Sequence, residues 1–324
     1  MLMLNLFKLI KKYRITFLLL GAILIGSSTG LLFSNKIGFF GDYLDTAILG
    51  LVFFIFLDVP FEKFLLATKK ISFISIAWLT NFILIPIIGF TIAFFLFRNQ
   101  PPVLIGLLIY FLFPCTDWFL AFTKIAGGDT VTGSVILPIN LVTQIILYPL
   151  YLMLFARVSV GIPLENLPTV FIRWFLMPFM TATVIHFVIK KLLTGEKYIK
   201  IQKGYEYIIE GLLTIVVFII FATNSAIIVK NLHLFFLIIM AVFFFFVTVY
   251  IVTEKISDLM KLPKKLRVLY TMTTSARNAP LMLAITTVAI PNQPLIYSTI
   301  IIGMLVEFPH LTVLTKILSK SKIK

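Results

Sequence analysis

The chain has few of the residues and motifs on which catalytic and metal-binding proteins depend. Its single cysteine, Cys115, excludes an intramolecular disulfide and any metal site built from several cysteines. The three histidines, His186, His233 and His310, form no HExxH motif, and the sequence contains no Gly-rich nucleotide-binding loop of the GxxxxGKS or GxxxxGKT type. We therefore expect no enzyme, no cofactor and no bound metal.

Charged residues are also scarce, at 13% of the 324 residues, whereas 60% of the residues are hydrophobic and the mean hydropathy is +1.08. Such a chain is too apolar for a soluble domain, and we predict an all-α polytopic membrane protein whose surroundings are the lipid bilayer. A transmembrane helix needs about 20 apolar residues. On that measure the sequence predicts ten transmembrane helices, at approximately residues 15–34, 43–60, 71–97, 102–125, 131–156, 171–190, 206–229, 232–253, 268–291 and 294–317.

Lysine and arginine are distributed unequally between the two sides of the predicted membrane. With ten spans, 22 basic residues fall on one side and five on the other, and Arg277 falls within the membrane. The positive-inside rule then predicts that both termini are cytoplasmic, in a multi-pass protein of the cytoplasmic membrane. The net charge of +15 belongs to short loops, so we expect no nucleic-acid partner.

The predicted spans divide into two halves of five. The first repeat covers residues 1–157, a connecting loop with two prolines covers 158–170, and the second repeat covers 171–324. An odd number of spans in each half forces opposite orientations, so the halves form an inverted repeat. Inverted repeats provide two bodies that can move against each other around a site at the membrane midplane, as alternating access requires.

Two interrupted hydrophobic segments lie at matching places in the two halves. Residues 113–117 interrupt the fourth span at Pro114, and residues 275–280 interrupt the ninth span at Pro280. Proline donates no backbone hydrogen bond and disfavours the helical conformation of the residue before it. Broken helices at membrane depth occur where protein or a water-filled cavity surrounds them. Paired breaks in corresponding halves indicate the binding site of a carrier, where we expect the two broken helices to cross.

The breaks suggest roles for the residues beside the two prolines. Phe113 and Ala279 are the expected break points, and each proline suits the first turn of a new half-helix. We expect Asn278 to be the N-cap of the second half-helix, whose free N–H groups favour an anion or a polar oxygen. Cys115 would lie in the opening turn of the other half-helix. There it is either a reactive thiol or a small packing residue.

Arg277 is the most costly residue to place in the membrane, at about 2.5–3.5 kcal/mol on insertion scales. Its first candidate partner is Asp117, and its second is Glu307, which His310 follows by one helical turn. A structural ion pair is the alternative to a functional one. The other polar residues within spans, such as Gln144, are expected to form hydrogen bonds between helices. The predicted binding residues are Cys115, Thr116, Asp117, Ser275, Arg277, Asn278 and Glu307, and Asp117, Glu307 and His310 are the candidates for coupling to protons.

The first break and the end of its span resemble a known family. Pro114-Cys115-Thr116 followed by Gly128-Asp129 is similar to the fourth-span signature of arsenite permeases, a branch of the bile acid/sodium symporter superfamily. The Arg277-Asn278 break and the stretch 305–309 resemble the ninth and tenth spans of that group. The resemblance implies ten spans with a panel domain and a core domain, crossing broken helices, and secondary active export of arsenite or antimonite. In arsenite permeases the cysteine at the position of Cys115 is required for transport, and a thiolate is a suitable ligand for a soft metalloid.

The sequence also departs from the bile acid branch of that superfamily. The Ser-Asn pair that helps to hold sodium there becomes Phe119-Leu120, the ninth-span Glu becomes Thr273, and the Gln before the Asn becomes Arg277. A guanidinium and a sodium ion at one crossing would repel each other. We therefore predict sodium-independent transport.

A second hypothesis keeps the fold and changes the substrate. In it the protein is an organic-anion symporter or exporter, Arg277 binds the substrate's carboxylate, and Cys115 is a packing residue. Under both hypotheses the partner is a small inorganic or organic anion or oxyacid.

Overall fold

A computed structural model describes residues 14–33, 38–60, 70–116, 118–159, 169, 172–193 and 195–320. Asp117 lies outside the described residues, as does most of the predicted connecting loop. All regular structure in the described ranges is helical, as the composition predicts. The helices are α1 (Arg14–Leu32), α2 (Gly38–Gly41), α3 (Leu44–Leu57), α4 (Ile71–Phe97), α5 (Pro101–Leu112), α6 (Trp118–Ile125), α7 (Thr130–Ser159), α8 (Ile172–Leu192), α9 (Glu196–Thr223), α10 (Ser225–Lys230), α11 (Leu232–Leu259), α12 (Lys264–Ser275), α13 (Ala279–Ala289) and α14 (Pro294–Lys320).

Within the described residues, eight helical segments are long and apolar enough to cross a membrane. They are α1, the segment Phe39–Leu57 formed by α2 and α3, α4, α7, α8, α9, α11 and α14. The predicted fourth and ninth spans each consist of two shorter helices, α5 with α6 and α12 with α13. One boundary differs clearly from prediction, since α9 begins at Glu196 and not near residue 206. The polar residues 196–205 contain no proline, so the helix continues beyond its apolar part.

Two of the long helices contain a widened π-helical turn just before a proline. These turns span Thr80–Leu84 in α4 and Ile172–Leu176 in α8, and Pro86 and Pro178 follow them in the first turn of the next α-helical stretch. A proline ring clashes with the carbonyl four residues before it, and a wider turn moves that carbonyl away. Each helix therefore continues through its proline.

Helix α1 packs against α9 through the small residues Gly26 and Gly30. A Cβ atom on Gly26 would lie 2.7 Å from the Phe218 carbonyl oxygen, and a Cβ on Gly30 would overlap the carbonyl of Ala222. Small residues allow two helix backbones to approach this closely in a membrane. At the start of α1, Arg14 forms an ion pair with Glu210 of α9.

The close packing of α5 against α14 positions the first break. Gly106 of α5 faces Thr299, and Gly303 of α14 faces the ring of Tyr110, where an added Cβ would lie 2.7 Å from the nearest ring atoms. Helix α12 is held by α4, since the hydroxyls of Thr80 and Tyr270 lie 2.6 Å apart. Both half-helices that lead into the breaks thus have fixed neighbours.

We predict that Gly30→Ala destabilises the protein, because the added methyl group has no space against the α9 backbone. Overpacking of this kind costs about 1–3 kcal/mol. Thermal unfolding of the purified protein in detergent should show a lower midpoint than wild type. Gly21→Ala on the same helix is the matched control, since a Cβ at Gly21 meets no atom within 4 Å. Equal midpoints for the two variants would contradict the close contact.

Candidate functional site

The two interrupted helices meet at their breaks and are joined there by backbone hydrogen bonds. The Cys115 N–H donates to the Ala276 carbonyl at 2.9 Å, and the Asn278 N–H donates to the Phe113 carbonyl at 3.0 Å. Pro114 and Arg277 form the antiparallel bridge between these pairs. Backbone groups that leave a helix inside a membrane need partners in the protein. Each break supplies the partners that the other lacks.

The break points agree with the prediction in part. Phe113 ends α5 in an extended conformation, as expected, and Pro280 lies in the first turn of α13. The prediction that Ala279 is a break point is wrong, because Ala279 is the first residue of α13. The residue with extended backbone at this break is Ala276. The reason is that the Ala276 carbonyl and the Asn278 N–H are already bonded across the crossing.

The expectation that Cys115 lies in the opening turn of a half-helix is also wrong. Among the described residues helix α6 begins at Trp118, and Pro114 and Cys115 lie outside it. Pro114 instead bridges to Arg277. Cys115 is fully buried in the crossing.

The guanidinium of Arg277 lies between the ends of two half-helices. It is fully buried, and it donates to the Phe111 carbonyl at 2.9 Å and to the Thr274 carbonyl at 2.5 Å. These carbonyls belong to the last turns of α5 and α12, which are the negative ends of the helix dipoles. Arg277 therefore neutralises two converging helix C-termini. Its Nε has no hydrogen-bond partner within the part of the chain that the structure describes.

Glu307 of α14, the second predicted partner of Arg277, reaches the crossing. Its Oε1 accepts the backbone N–H of Arg277 at 2.9 Å, and its Oε2 lies 2.9 Å from the Tyr110 hydroxyl. Glu307, Tyr110 and Cys115 all lie near enough to Arg277 to interact with its charge. Tyr110 is a member of this cluster that the sequence did not indicate.

Asn278 occupies the N-cap position of α13, but its side chain does not cap the helix. Its Nδ2 donates to Thr116 Oγ1 at 3.1 Å and to Gln144 Oε1 at 2.8 Å. Gln144 in turn donates to the Pro114 carbonyl at 2.7 Å. The predicted N-cap position is therefore correct, but the side-chain amide connects the two breaks to α7 and does not cap the helix. From the sequence alone, Gln144 is expected only to form a hydrogen bond between helices.

Two other predicted residues have fewer polar contacts. Ser275 is fully buried, and among the described residues its hydroxyl has no hydrogen-bond partner. His310 stacks on Phe246 of α11, with ring centroids 4.4 Å apart and an interplanar angle of 11°. Its Nε2 also has no partner in the described ranges. Asp117 lies outside those ranges.

A cavity of about 620 Å³ leads toward the crossing between the pair α3 and α9 and the pair α6 and α7. Thr116 is the crossing residue that lines it, and Trp118 and Ser134 lie beside Thr116 in the wall. Lys124 and Glu206 provide charges of both signs. A small polar solute can thus approach Thr116, while Cys115 lies behind it with no exposed surface.

Gly128 and Asp129 connect α6 to α7. A Cβ on Gly128 would lie 2.6 Å from Thr123 and 2.7 Å from Val268, so only glycine fits. The Asp129 carboxylate accepts hydrogen bonds from Thr132 at 3.0 and 2.8 Å and pairs with Lys70 at 2.6 Å. Burial alone would raise the pKa of Asp129, but the hydrogen bonds from Lys70 and Thr132 outweigh it and lower the pKa to about 2. Asp129 thereby holds the starts of α4 and α7 together.

The chain combines many apolar helices with two broken helices that cross at a buried polar cluster. This architecture is typical of secondary carriers, which build their binding sites at such breaks. The chain belongs to the sodium bile acid symporter family, whose model matches residues 46–259. The matched segment includes the first break, whereas the second break and α14 follow it. A comparison with curated proteins finds no significant match.

Membership of this family confirms the superfamily that the sequence motifs indicate. The protein is a multi-pass membrane transporter of the bile acid/sodium symporter type, and its substrates are small anions.

We predict that Asp129→Asn lowers the unfolding temperature at pH 7, because the amide cannot form the ion pair with Lys70. The folded carboxyl has the lower pKa, about 2 against an ordinary 3.8, so its ionised form stabilises the fold above pH 3.8. This contribution is lost as the pH falls through about 2. The difference in unfolding temperature between Asp129→Asn and wild type should therefore shrink between pH 3.8 and about pH 2, as measured by thermal unfolding in detergent. Asp42→Asn, on an exposed carboxylate, is the control, and a pH-independent difference for Asp129→Asn would contradict the assignment.

Proposed function

We propose that the protein is a secondary carrier of the cytoplasmic membrane that exports arsenite- or antimonite-type oxyacids without using sodium. The observation that carries this proposal is the position of the Arg277 guanidinium between the C-terminal carbonyls of α5 and α12.

The proposed topology has ten spans in two inverted halves, residues 1–157 and 171–324, joined by the loop 158–170. Eight long helices together with two interrupted pairs, α5–α6 and α12–α13, support that number. The excess of lysine and arginine on one side supports cytoplasmic termini. In this orientation the cavity beside Lys124 opens to the cytoplasm. An exporter would load its substrate from that side.

Sodium independence follows from what Arg277 does at the crossing. In carriers with broken helices, carbonyls of unwound segments and the C-terminal ends of half-helices coordinate sodium. Here two such carbonyls accept hydrogen bonds from a guanidinium that belongs to the chain. A sodium ion added beside this buried charge would be repelled at low dielectric. Arg277 therefore takes the place of the ion permanently.

The residues that replace the bile acid branch's sodium ligands support the same conclusion. Phe119, in place of the serine, is fully buried. Leu120, in place of the asparagine, packs near Gly133 together with Leu269, so this region is apolar. The hydroxyl of Thr273, in place of the glutamate, accepts a hydrogen bond from Asn81 at 3.4 Å. This set offers few oxygen ligands to a hard cation.

The substrate side of the crossing is proposed to consist of Thr116, Asn278, Ser275 and Cys115, with Asp117 beside them in the chain. The oxygens of arsenite would accept hydrogen bonds at the start of α13. The Cys115 thiol would bind arsenic by exchange, in which an As–S bond forms, one As–O bond breaks, and the hydroxyl leaves as water with the thiol's proton. Cys115 is buried behind Thr116, so the substrate reaches the thiol only when the crossing opens. A single thiolate binds reversibly, as a carrier requires.

Protons are the proposed coupling ion, with Asp117, Glu307 and His310 as candidates. Glu307 has the strongest support, because it holds the Arg277 backbone and faces the Tyr110 hydroxyl. A proton on Glu307 would weaken both interactions. Protonation would thus loosen the crossing at its most charged point.

The alternative substrate is an organic anion, since the substrates of this family are small anions. In that case Arg277 would bind a carboxylate. The hydrogen bonds of Arg277 to two backbone carbonyls favour a structural role at the crossing over direct binding of a substrate.

Arsenite uptake into everted membrane vesicles tests the proposal directly. We expect proton-driven uptake by wild type that is the same with and without sodium and is lost in Cys115→Ser. Serine keeps the size and hydrogen bonding of cysteine but is a poor ligand for arsenic. Absence of arsenite uptake by well-expressed wild type would reject this substrate, and equal uptake by Cys115→Ser would reject the role of the thiol.

The role of Arg277 has a separate test that needs no substrate. Arg277→Gln restores the residue type of the bile acid branch and vacates the space of the guanidinium. We expect sodium chloride to raise the melting temperature of this variant above the value in choline chloride, because sodium can bind the freed carbonyls. Wild type should melt at the same temperature in both salts. A sodium-dependent rise in wild type would overturn the proposal that Arg277 replaces the ion.

A further inference from the structure

We propose that Gln144 is a positioning residue that fixes the hydrogen-bonding direction of the Thr116 hydroxyl, so that this hydroxyl donates into the cavity. The proposal rests on the proposed function only in taking the cavity as the path of the substrate.

The chain of hydrogen bonds starts at the Pro114 carbonyl, which can only accept. Gln144 lies 2.7 Å from it and is fully buried, so the nitrogen of its amide must face this carbonyl. The Gln144 oxygen then faces the other way, toward Asn278 at 2.8 Å. A backbone group therefore determines the orientation of an amide that could otherwise rotate.

The same reasoning passes from Gln144 to Asn278. Because the Gln144 oxygen accepts, the Asn278 nitrogen must lie opposite it. An amide nitrogen carries two hydrogens, and the second one goes to Thr116 Oγ1 at 3.1 Å. Asn278 thus uses both of its donors within the crossing, one toward each neighbour.

Thr116 is the end of the chain. Its oxygen accepts from Asn278, so the hydrogen of its own hydroxyl is left for a partner on the cavity side. The inner end of the cavity consequently offers a donor to an oxygen of the solute. This arrangement selects solutes with acceptor oxygens, such as oxyacids and carboxylates, over solutes that can only donate.

Gln144→Glu separates this role from simple packing. A protonated carboxyl group donates to the Pro114 carbonyl and accepts from Asn278, as glutamine does. An ionised carboxylate cannot donate and leaves the Pro114 carbonyl without a partner. The variant should therefore behave like wild type at low pH and lose the network at high pH. Gln144→Leu lacks the network at every pH.

The single cysteine of the chain provides the readout, because Cys115 follows Pro114 directly and is fully buried. The rate at which N-ethylmaleimide labels the purified full-length protein should be measured between about pH 5.5 and 8.5. The rate of each variant is divided by the wild-type rate at the same pH, so that the general rise of thiol reactivity with pH cancels. We expect Gln144→Leu to react about tenfold faster than wild type throughout, since a buried hydrogen bond is lost. Gln144→Glu should react faster at high pH and approach the wild-type rate at low pH.

A ratio of Gln144→Glu to wild type that stays raised at every pH, including low pH, would overturn the proposal. So would a wild-type labelling rate in Gln144→Leu. These results do not depend on the substrate, so they are distinguishable from a failure of arsenite transport. If wild type transports arsenite, Thr116→Val and Gln144→Leu should raise its KM by similar factors, and the double variant should raise it no further. Additive effects would show that the two residues act separately and would also overturn the proposal.

Discussion

The crossing of the two broken helices depends on one buried guanidinium. Helices α5 and α12 end at the buried crossing, where their last carbonyls would otherwise face each other without hydrogen-bond donors. Arg277 supplies donors to one carbonyl of each helix and brings positive charge to two negative dipole ends. The backbone bridge between Pro114 and Arg277 can then form beside it. Glu307 of α14 accepts the backbone N–H of Arg277, so three segments of the chain are joined at one point.

This arrangement links the carrier's energetics to its geometry. A sodium ion that binds and leaves can drive a cycle, because the crossing is stabilised only while the ion is present. In the proposed sodium-independent cycle, the change that permits movement has to come from another group, because a guanidinium cannot leave. Glu307 and Tyr110 are the ionisable neighbours that face Arg277 within the described residues, together with Cys115. The proposed function places that change in protonation or in binding at the thiol.

The sequence predicted much of the architecture, since long apolar runs indicate spans and intramembrane prolines indicate breaks. It also singled out Arg277 and Glu307, because charge within the membrane is rare and costly. The detailed structure of the two breaks could not be predicted from the sequence. The Asn278 side chain makes no capping bond and Cys115 does not open a helix, because groups on other segments of the chain take their hydrogen bonds. The polarity of Gln144 within a span predicts a contact between helices but not its partner, which is a carbonyl 30 residues earlier in the chain.

The π turn of α4 has a consequence for how the sequence can vary. A widened turn holds one more residue than an α-helical turn, and each helical residue corresponds to a rotation of about 100°. Trp78 and Thr80 meet α7 and α12 on one side of the turn, and Gly89 meets Phe111 of α5 on the other. The parts of α4 before and after the π turn can make these contacts at the same time only while the extra residue is present. Loss of one residue from Thr80–Leu84 would turn the second half away from α5, although every side chain that makes these contacts would still be in the chain.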